Sequence, residues 1–270
     1  MGEDELEKKL NKIFFGKEEQ REKDYDILKT VEEVFDTFTL RSLFDLSRKV
    51  GLRKISGVIS AGKEARVYRG VDNSGRELAI KIYLTFSAEF KKGIYKYIEG
   101  DVRFERVKIT GTRRLMSIWA RKEYSNLKKM FSAGVRVPEP LAQKDNIVVM
   151  EFIGKNGVRA PLLKEIGDAL RNPSEIYSEI QENIRKMVCS ARLVHADLSE
   201  YNIMVFDDSP VIIDVSQSVL LSHPNAEEFL RKDVSNIDRF FNRTYGIEVH
   251  GDTLLEELMQ CLRKSEGSIP

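Results

Sequence analysis

The segment Leu193–Met204, LVHADLSEYNIM, places polar residues between two apolar runs. Asp197 lies in this segment, and Asn202 follows five residues later. A second apolar run downstream leads to another acid, Asp214, which we expect at the end of a buried strand. One acid to orient or deprotonate a hydroxyl, with an Asn and a second Asp to hold magnesium, is the catalytic set of phosphoryl transfer from ATP. The sequence therefore predicts Asp197 and Asp214 as catalytic residues, with Asn202 and Asp214 as metal ligands.

The spacing of this segment, H-x-D-x-x-x-x-N, matches the catalytic loop of protein kinases. Three segments resemble the RIO family of atypical serine/threonine protein kinases: Ser60–Ala65, Leu193–Met204 and Ile212–Val219. The sequences DLSEYN and DVSQS are similar to the type-one branch, and the resemblance covers roughly residues 50 to 245 in order. It implies an ATP-dependent kinase and ATPase that uses Mg2+ or Mn2+. It also implies action on the maturing small ribosomal subunit, with its proteins and rRNA as partners.

Length, composition and cysteine content bound the remaining possibilities. With 270 residues, 41% hydrophobic and 32% charged, the chain is typical of a soluble globular protein with one large domain or two lobes. A net charge of +1 favours neither nucleic acid nor membrane, so any such contact requires a local patch. The acidic N-terminus and the lack of long apolar runs predict a cytoplasmic protein without membrane contact. Cys189 and Cys261 are far apart, and we expect a buried thiol at Cys189 rather than a disulfide or a zinc site.

Residues 51–153 are predicted to form the small lobe of a kinase. Three meandering strands are predicted: Ile55–Ser60, Ala65–Val71 and Leu78–Tyr83. Lys81 lies in the third strand after Ala-Ile, as in the V-A-I-K pattern, and is predicted to bind the α- and β-phosphates of ATP. Thr112–Phe131 is predicted as a long helix, and Glu123 beside its apolar stripe is the predicted ion-pair partner of Lys81.

The turn between the first two strands permits a competing interpretation. Gly57 to Lys63 fits the start of a Walker A loop, G-x-x-x-x-G-K. However, Glu64 stands where a magnesium-binding Ser or Thr is required, and the following residues alternate like a strand, so a P-loop NTPase is disfavoured. The kinase Gly-rich loop is also incomplete, because only Gly62 lies at its tip. The RIO resemblance implies that exposed amides, Ser60 and Lys63 make the phosphate contacts.

The segment Thr85–Gly111 is a long insert without clean periodicity, in which basic and acidic residues are mixed with aromatic ones. A connection of this length is functional or mobile, and we expect a flexible loop that is too charged to bury. Contact with RNA is the alternative. Ser87 and Thr110 are candidate self-phosphorylation sites.

The remaining segments complete the predicted architecture. Asn146–Gly154 is predicted as a buried strand, and the resemblance implies that it is the hinge, with the Glu151 carbonyl and the Ile153 N–H binding adenine. Residues 154–270 are predicted as a mainly helical C-terminal lobe, and residues 1–50 as a helical extension. Two helix starts are predicted from capping residues: Thr39, and Asn225 with Glu228. The class is thus α+β, a two-lobed protein-kinase-like fold with a truncated C-terminal lobe.

Three departures from ordinary protein kinases fit the RIO pattern. Ala196 replaces the Arg of H-R-D, Ser199 replaces the usual Lys, and neither D-F-G nor A-P-E occurs. The alternative is a small-molecule kinase of the aminoglycoside or choline type, whose substrate subdomain needs more chain than follows Asp214. An inactive scaffold is disfavoured because the Lys, Asp and Asn are all present. The resemblance also implies a phosphoaspartate intermediate on Asp214, with metal binding alone as the alternative role of Asp214.

Overall fold

The structure of the chain, a computed structural model, describes residues 36–62, 64–84, 88–104 and 110–266. The chain divides into two compact units. Unit 1 comprises the described residues of Met1–Ser87, Ile109–Tyr124 and Pro140–Phe152, and unit 2 those of Ala88–Lys108, Ser125–Glu139 and Ile153–Pro270. Most of the predicted N-terminal extension, as well as Lys63 and Ser87, lies outside the described residues. In the part of the chain that the structure covers, every helix is too short or too polar to cross a bilayer.

Unit 1 is built on a five-stranded antiparallel sheet with the order β1-β2-β3-β5-β4. Its strands are β1 Leu52–Ala61, β2 Ala65–Asp72, β3 Glu77–Tyr83, β4 Pro140–Lys144 and β5 Ile147–Glu151. β3 is the central strand, and all of its residues except the first are buried, which explains its continuous apolar sequence. The predicted meander of three strands is confirmed, and β3 carries Lys81 through the middle of the sheet.

Helix α1, Thr37–Val50, covers this sheet in unit 1. Leu43 and Leu46 lie in one buried cluster with side chains of the sheet, such as Ile80. The helix begins at an N-cap Asp36, whose Oδ1 accepts a hydrogen bond of 2.9 Å from the Thr39 N–H. The prediction of Thr39 as the N-cap is therefore wrong. Thr39 supplies the amide that is capped, as the third residue of the first turn usually does.

Unit 2 is mainly helical. Its helices, with α3 beginning in unit 1, are α2 Ala88–Ile98, α3 Thr112–Ser132, α4 Leu163–Ile166, α5 Pro173–Arg185, α6 Ala226–Tyr245 and α7 Gly251–Glu266. Three short antiparallel pairs accompany them: β6 Gly154–Lys155 with β7 Val158–Arg159, β8 Leu193–Val194 with β11 Val219–Leu220, and β9 Ile203–Phe206 with β10 Ser209–Ile212. The antiparallel pair β9–β10 separates Asn202 from Asp214 along the chain.

The insert contains regular structure, because α2 occupies Ala88–Ile98. Ile94, Tyr97 and Ile98 are buried at spacings of three and four, which place them on one helix face. Phe104 is buried as well. The prediction of an aperiodic segment too charged to bury is wrong for these residues. Thr110 is exposed at the other end of the insert.

The two cysteines form a disulfide, Cys189–Cys261, with their Cα atoms 5.3 Å apart. Cys189 lies in a π-helical turn, Lys186–Ser190, that continues α5, and Cys261 lies on α7. The prediction of a free core thiol at Cys189 is wrong. The two residues are separated by 72 positions, and only the packing of α7 against this turn brings them together.

Helix α6 begins without the predicted capping box. Asn225 is at the N-cap position, but its side chain makes no capping hydrogen bond. Its backbone N–H instead donates to His223 Nδ1 at 3.1 Å. The helix ends at Gly246, which has the left-handed conformation that commonly closes a helix.

Candidate active site

In unit 1, the predicted ion pair between Lys81 and Glu123 is present. Lys81 Nζ donates to Glu123 Oε1 at 2.6 Å, and the two residues are 8% and 1% exposed. The Tyr83 hydroxyl donates to the other carboxylate oxygen, Oε2, at 2.5 Å. Both oxygens of this buried carboxylate are thus satisfied, as a buried charge requires. Tyr83 was not predicted, although it lies two positions after Lys81 and hence on the same face of β3.

The glycine turn of unit 1 is tight. Ser60, near the end of β1, pairs with Val67 and is exposed. The Gly62 N–H donates to the Ala65 carbonyl at 3.0 Å, so this amide is used within the turn. The expectation that amides of this turn bind phosphate stays a prediction. The predicted contact by Lys63 lies outside the described residues.

The predicted hinge lies at the end of β5, where the chain passes from unit 1 to unit 2. Glu151 is the last residue of β5 and pairs with Leu78 of β3. The Ile153 carbonyl accepts a hydrogen bond of 2.9 Å from Ala160. The Ile153 N–H, which is the predicted adenine donor, makes no hydrogen bond with the described residues.

In unit 2, the segment Leu193–Met204 forms a loop in which Asn202 hydrogen-bonds to Asp197. Asn202 Nδ2 donates to the Asp197 backbone oxygen at 2.8 Å and to Asp197 Oδ2 at 3.3 Å. Gln217 Nε2 also donates to Asp197 Oδ2, at 3.2 Å. Asp197 is partly accessible to solvent. The loop therefore presents a carboxylate that two amides hold by one oxygen.

Asp214 follows β10 in a left-handed conformation, φ 56°, and is exposed. The preceding residue, Ile213, donates its N–H to the Asn202 carbonyl at 2.9 Å, so the two predicted metal ligands lie on adjacent, bonded segments. Ser216 Oγ donates to Asp214 Oδ1 at 3.1 Å. Asp214 offers a carboxylate oxygen and Asn202 a side-chain amide oxygen, and Mg2+ prefers hard oxygen ligands of this kind. Among the described residues no three His, Cys, Asp or Glu side chains form a metal cluster, so such an ion would take its other ligands from ATP and water.

Asp233, a buried acid on α6, also contacts the segment Leu193–Met204, although the motifs of the sequence do not indicate it. Asp233 Oδ2 accepts from the Ala196 N–H and Oδ1 from the Leu198 N–H, both at 2.8 Å. These amides lie on either side of Asp197, so Asp233 fixes the backbone at Asp197. Burial raises the pKa of Asp233 to about 8, against the lowering effect of the two amide hydrogen bonds. The available signal was an acid adjacent to Val234 within an apolar helical stripe.

A second network, also missed, connects the insert to the turn after Asp214. Arg103 binds the buried Asp101 carboxylate at 2.6 Å and donates to Asn126 Oδ1 at 2.7 Å. Asn126 Nδ2 donates to the carbonyls of Val215 and Ser218, at 2.8 and 3.0 Å. The short 3-10 turn Val215–Gln217 is thus held by side chains from α3 and from the insert.

Comparison with known proteins identifies the family. A family model described as the RIO domain matches residues 66–254. The RIO-type serine/threonine-protein kinase Rio1 of Haloferax volcanii is 39% identical over 242 residues, which cover 90% of this chain and 81% of the relative. The human serine/threonine-protein kinase RIO1 is 40% identical over 243 residues, 87% of this chain and 42% of the relative. The chain thus spans most of the archaeal relative but less than half of the human one.

A solved structure shows the same fold. The Rio2 kinase–ADP/Mg2+–phosphoaspartate complex from Chaetomium thermophilum aligns with a TM-score of 0.61 and 21% identity, over 90% of this chain and 80% of that one. The predicted α+β kinase-like fold is therefore confirmed. With a domain match over most of its length and relatives of the type-one branch at about 40% identity, the chain belongs to the RIO family of atypical serine/threonine protein kinases.

Proposed function

We propose that the chain transfers the γ-phosphoryl group of Mg-ATP and also acts as an ATPase. The observation that carries this proposal is the buried pair of Lys81 and Glu123, at 2.6 Å. A buried ion pair contributes little net stability, so its presence is better explained by function. In protein kinases this pair must be in place for the lysine to bind the phosphates. Family membership disfavours the alternative of a small-molecule kinase.

The other residues take complementary roles in this proposal. Lys81 would neutralise charge on the α- and β-phosphates. Asn202 and Asp214 would hold Mg2+, which supplies charge neutralisation at the phosphates when bound. Asp197 would accept a hydrogen bond from the acceptor hydroxyl or water and orient its oxygen for attack.

We also propose that Asp214 is transiently phosphorylated. One oxygen of Asp214 attacks the γ-phosphorus, the bond from that phosphorus to the β–γ bridging oxygen breaks, and ADP leaves. Water then attacks the phosphorus and releases inorganic phosphate, so that the carboxylate is restored. The Rio2 complex, whose description includes a phosphoaspartate, supports this proposal. Exposure of Asp214 in unit 2 is compatible with an attacking role.

Trapping with γ-labelled ATP tests these roles. We expect acid-stable label on the wild-type chain that hydroxylamine releases, because a phosphoaspartate is an acyl phosphate and a phosphoserine is not. Asp214→Asn should abolish that label. Asp197→Ala should slow turnover by about 10³-fold, and Lys81→Ala should reduce turnover more than ATP binding. Label that survives hydroxylamine and maps to Ser or Thr, such as Thr110, would show a plain self-phosphorylating kinase instead.

The biological context forms a separate part of the proposal. We propose that the protein acts in the cytoplasm on the maturing small ribosomal subunit and contacts its proteins and rRNA. The family resemblance implies the ribosomal partners, and the sequence composition favours the cytoplasm. Sedimentation of cell extract tests this: the chain should comigrate with small-subunit particles, and ATP should change the bound fraction. Equal sedimentation with and without ATP, away from these particles, would contradict it.

A further inference from the structure

Gln217 contacts the Asp197 carboxylate but has no role in the function proposed above. It lies three residues after Asp214, at the end of the 3-10 turn Val215–Gln217. Its Nε2 donates to Asp197 Oδ2 at 3.2 Å, across 20 positions of sequence. A side chain on the turn after Asp214 thus contacts the acid of the catalytic segment.

The position of Gln217 is itself fixed by buried contacts. Asn126, which is fully buried, donates to the carbonyls of Val215 and Ser218, on either side of the end of this turn. Val215 and Ser218 are buried as well. The turn that carries Gln217 is therefore held by a side chain of α3. This contact restricts the position from which the Gln217 amide reaches Asp197.

The two amides that contact the Asp197 side chain converge on the same oxygen. Gln217 and Asn202 both donate to Oδ2, at 3.2 and 3.3 Å. Asp197 Oδ1 makes no hydrogen bond with any described residue. A carboxylate held at one oxygen by two hydrogen bonds cannot rotate about its Cβ–Cγ bond without losing both of them, so the other oxygen keeps one direction.

We propose that Gln217 is a positioning residue that fixes the Asp197 carboxylate so that Oδ1 receives the hydrogen bond of the acceptor hydroxyl or water. This inference rests on the proposed role of Asp197. Ser199 stands where ordinary protein kinases carry a lysine, and Gln217 is the donor that this chain supplies to the carboxylate instead. Asn202 supplies the second donor to Oδ2, from the same Nδ2 that bonds the Asp197 backbone.

Two substitutions of similar size separate positioning from packing. Gln217→Met keeps the volume and removes the donor, whereas Gln217→Glu keeps the shape and places a carboxylate against that of Asp197. We expect kcat to fall by about tenfold for Met and by about 100-fold for Glu, with KM for ATP changed by less than about twofold. A packing role would give the opposite order, because Glu resembles Gln more closely in shape than Met does.

Control variants distinguish a failure of this inference from a failure of the proposed function. Gln260→Glu and Gln260→Met, on the exposed face of α7, should leave kcat unchanged. Thermal melting and ATP binding establish that each variant is folded, and Gln217→Met remains informative if Gln217→Glu does not fold. Wild-type turnover that survives Asp197→Ala would overturn the proposed function. Loss in Asp197→Ala together with wild-type kcat in both Gln217 variants would overturn the present inference alone.

Discussion

Asp233 accepts hydrogen bonds from the amides on either side of Asp197, and burial raises its pKa from 3.8 to about 8. Between these two values, the folded state retains a proton at Asp233 that the unfolded state has released. The contribution of Asp233 to stability is therefore fully present below pH 3.8 and is lost as the pH rises through about 8.

Denaturant titrations at several pH values test this behaviour. We expect the free energy of unfolding of the wild type to fall from pH 5 to pH 9 more steeply than that of Asp233→Asn, which has no proton to lose. The Asn variant should also be less stable at pH 5, because its NH2 group cannot accept from a second amide. Parallel pH profiles of the two proteins would rule out Asp233 as the titrating group.

Among the elements of unit 2, the insert is connected through Arg103 and Asn126 to the 3-10 turn Val215–Gln217. The Arg103 guanidinium pairs with Asp101, whose side chain is fully buried, and bonds Asn126. Removing one partner of such a pair leaves an uncompensated buried charge, at a cost of about 3 to 5 kcal/mol. We expect Arg103→Ala to destabilise unit 2 by that amount in urea unfolding. Arg103→Ala combined with Asp101→Asn should recover part of the loss.

Hydrogen exchange gives the local readout of the same prediction. The amides of Asp101 and Phe104 donate to backbone oxygens, at 3.0 and 2.8 Å, and should be protected in the wild type. Arg103→Ala should accelerate their exchange, while the amides of β3 in unit 1 keep their protection. Fast exchange of both amides in the wild type would favour the flexible insert that the sequence predicts.

Local patterns explain which elements could be predicted. The spacing of apolar residues gives the strands of unit 1 and α3, and the Lys81–Glu123 pair follows from a strand lysine and the next long helix. The N-cap of α1 shows the limit of such patterns. Asp36 and Thr39 are both good capping residues three positions apart, and the sequence does not decide between them. The buried apolar residues of α2 are few and lie among charged residues, so periodicity does not reveal this helix.

Contacts between distant residues explain what could not be predicted. Cys189 and Cys261, Asp233 and the Asp197 segment, and Asn126 and the turn after Asp214 each meet across many positions. Periodicity shows which face of a helix is buried but not which backbone that face meets. Candidate catalytic residues could therefore be predicted from the sequence, whereas the side chains that contact them required the structure.

At the scale of the whole molecule, the disulfide between Cys189 and Cys261 is the largest single constraint on the unfolded chain. Closing a loop of 72 residues contributes about 4 kcal/mol in the chain-entropy model. We expect Cys189→Ser with Cys261→Ser to lower the Tm by on the order of 10 °C. Dithiothreitol should lower the Tm of the wild type similarly and leave the double variant unchanged. Equal Tm values for the oxidised wild type and the double variant would contradict the prediction.

The same bridge has a topological consequence. Asp197, Asn202, Asp214, Gln217 and Asp233 all lie on the chain between the two bridged cysteines. Together with the bridge, this stretch of backbone is a closed covalent ring that contains all five of these residues. A single peptide-bond cut inside the ring leaves one molecule with every one of these residues still attached. The fragments of an oxidised, nicked protein therefore separate only after reduction, and none of these residues can be lost by diffusion of a piece.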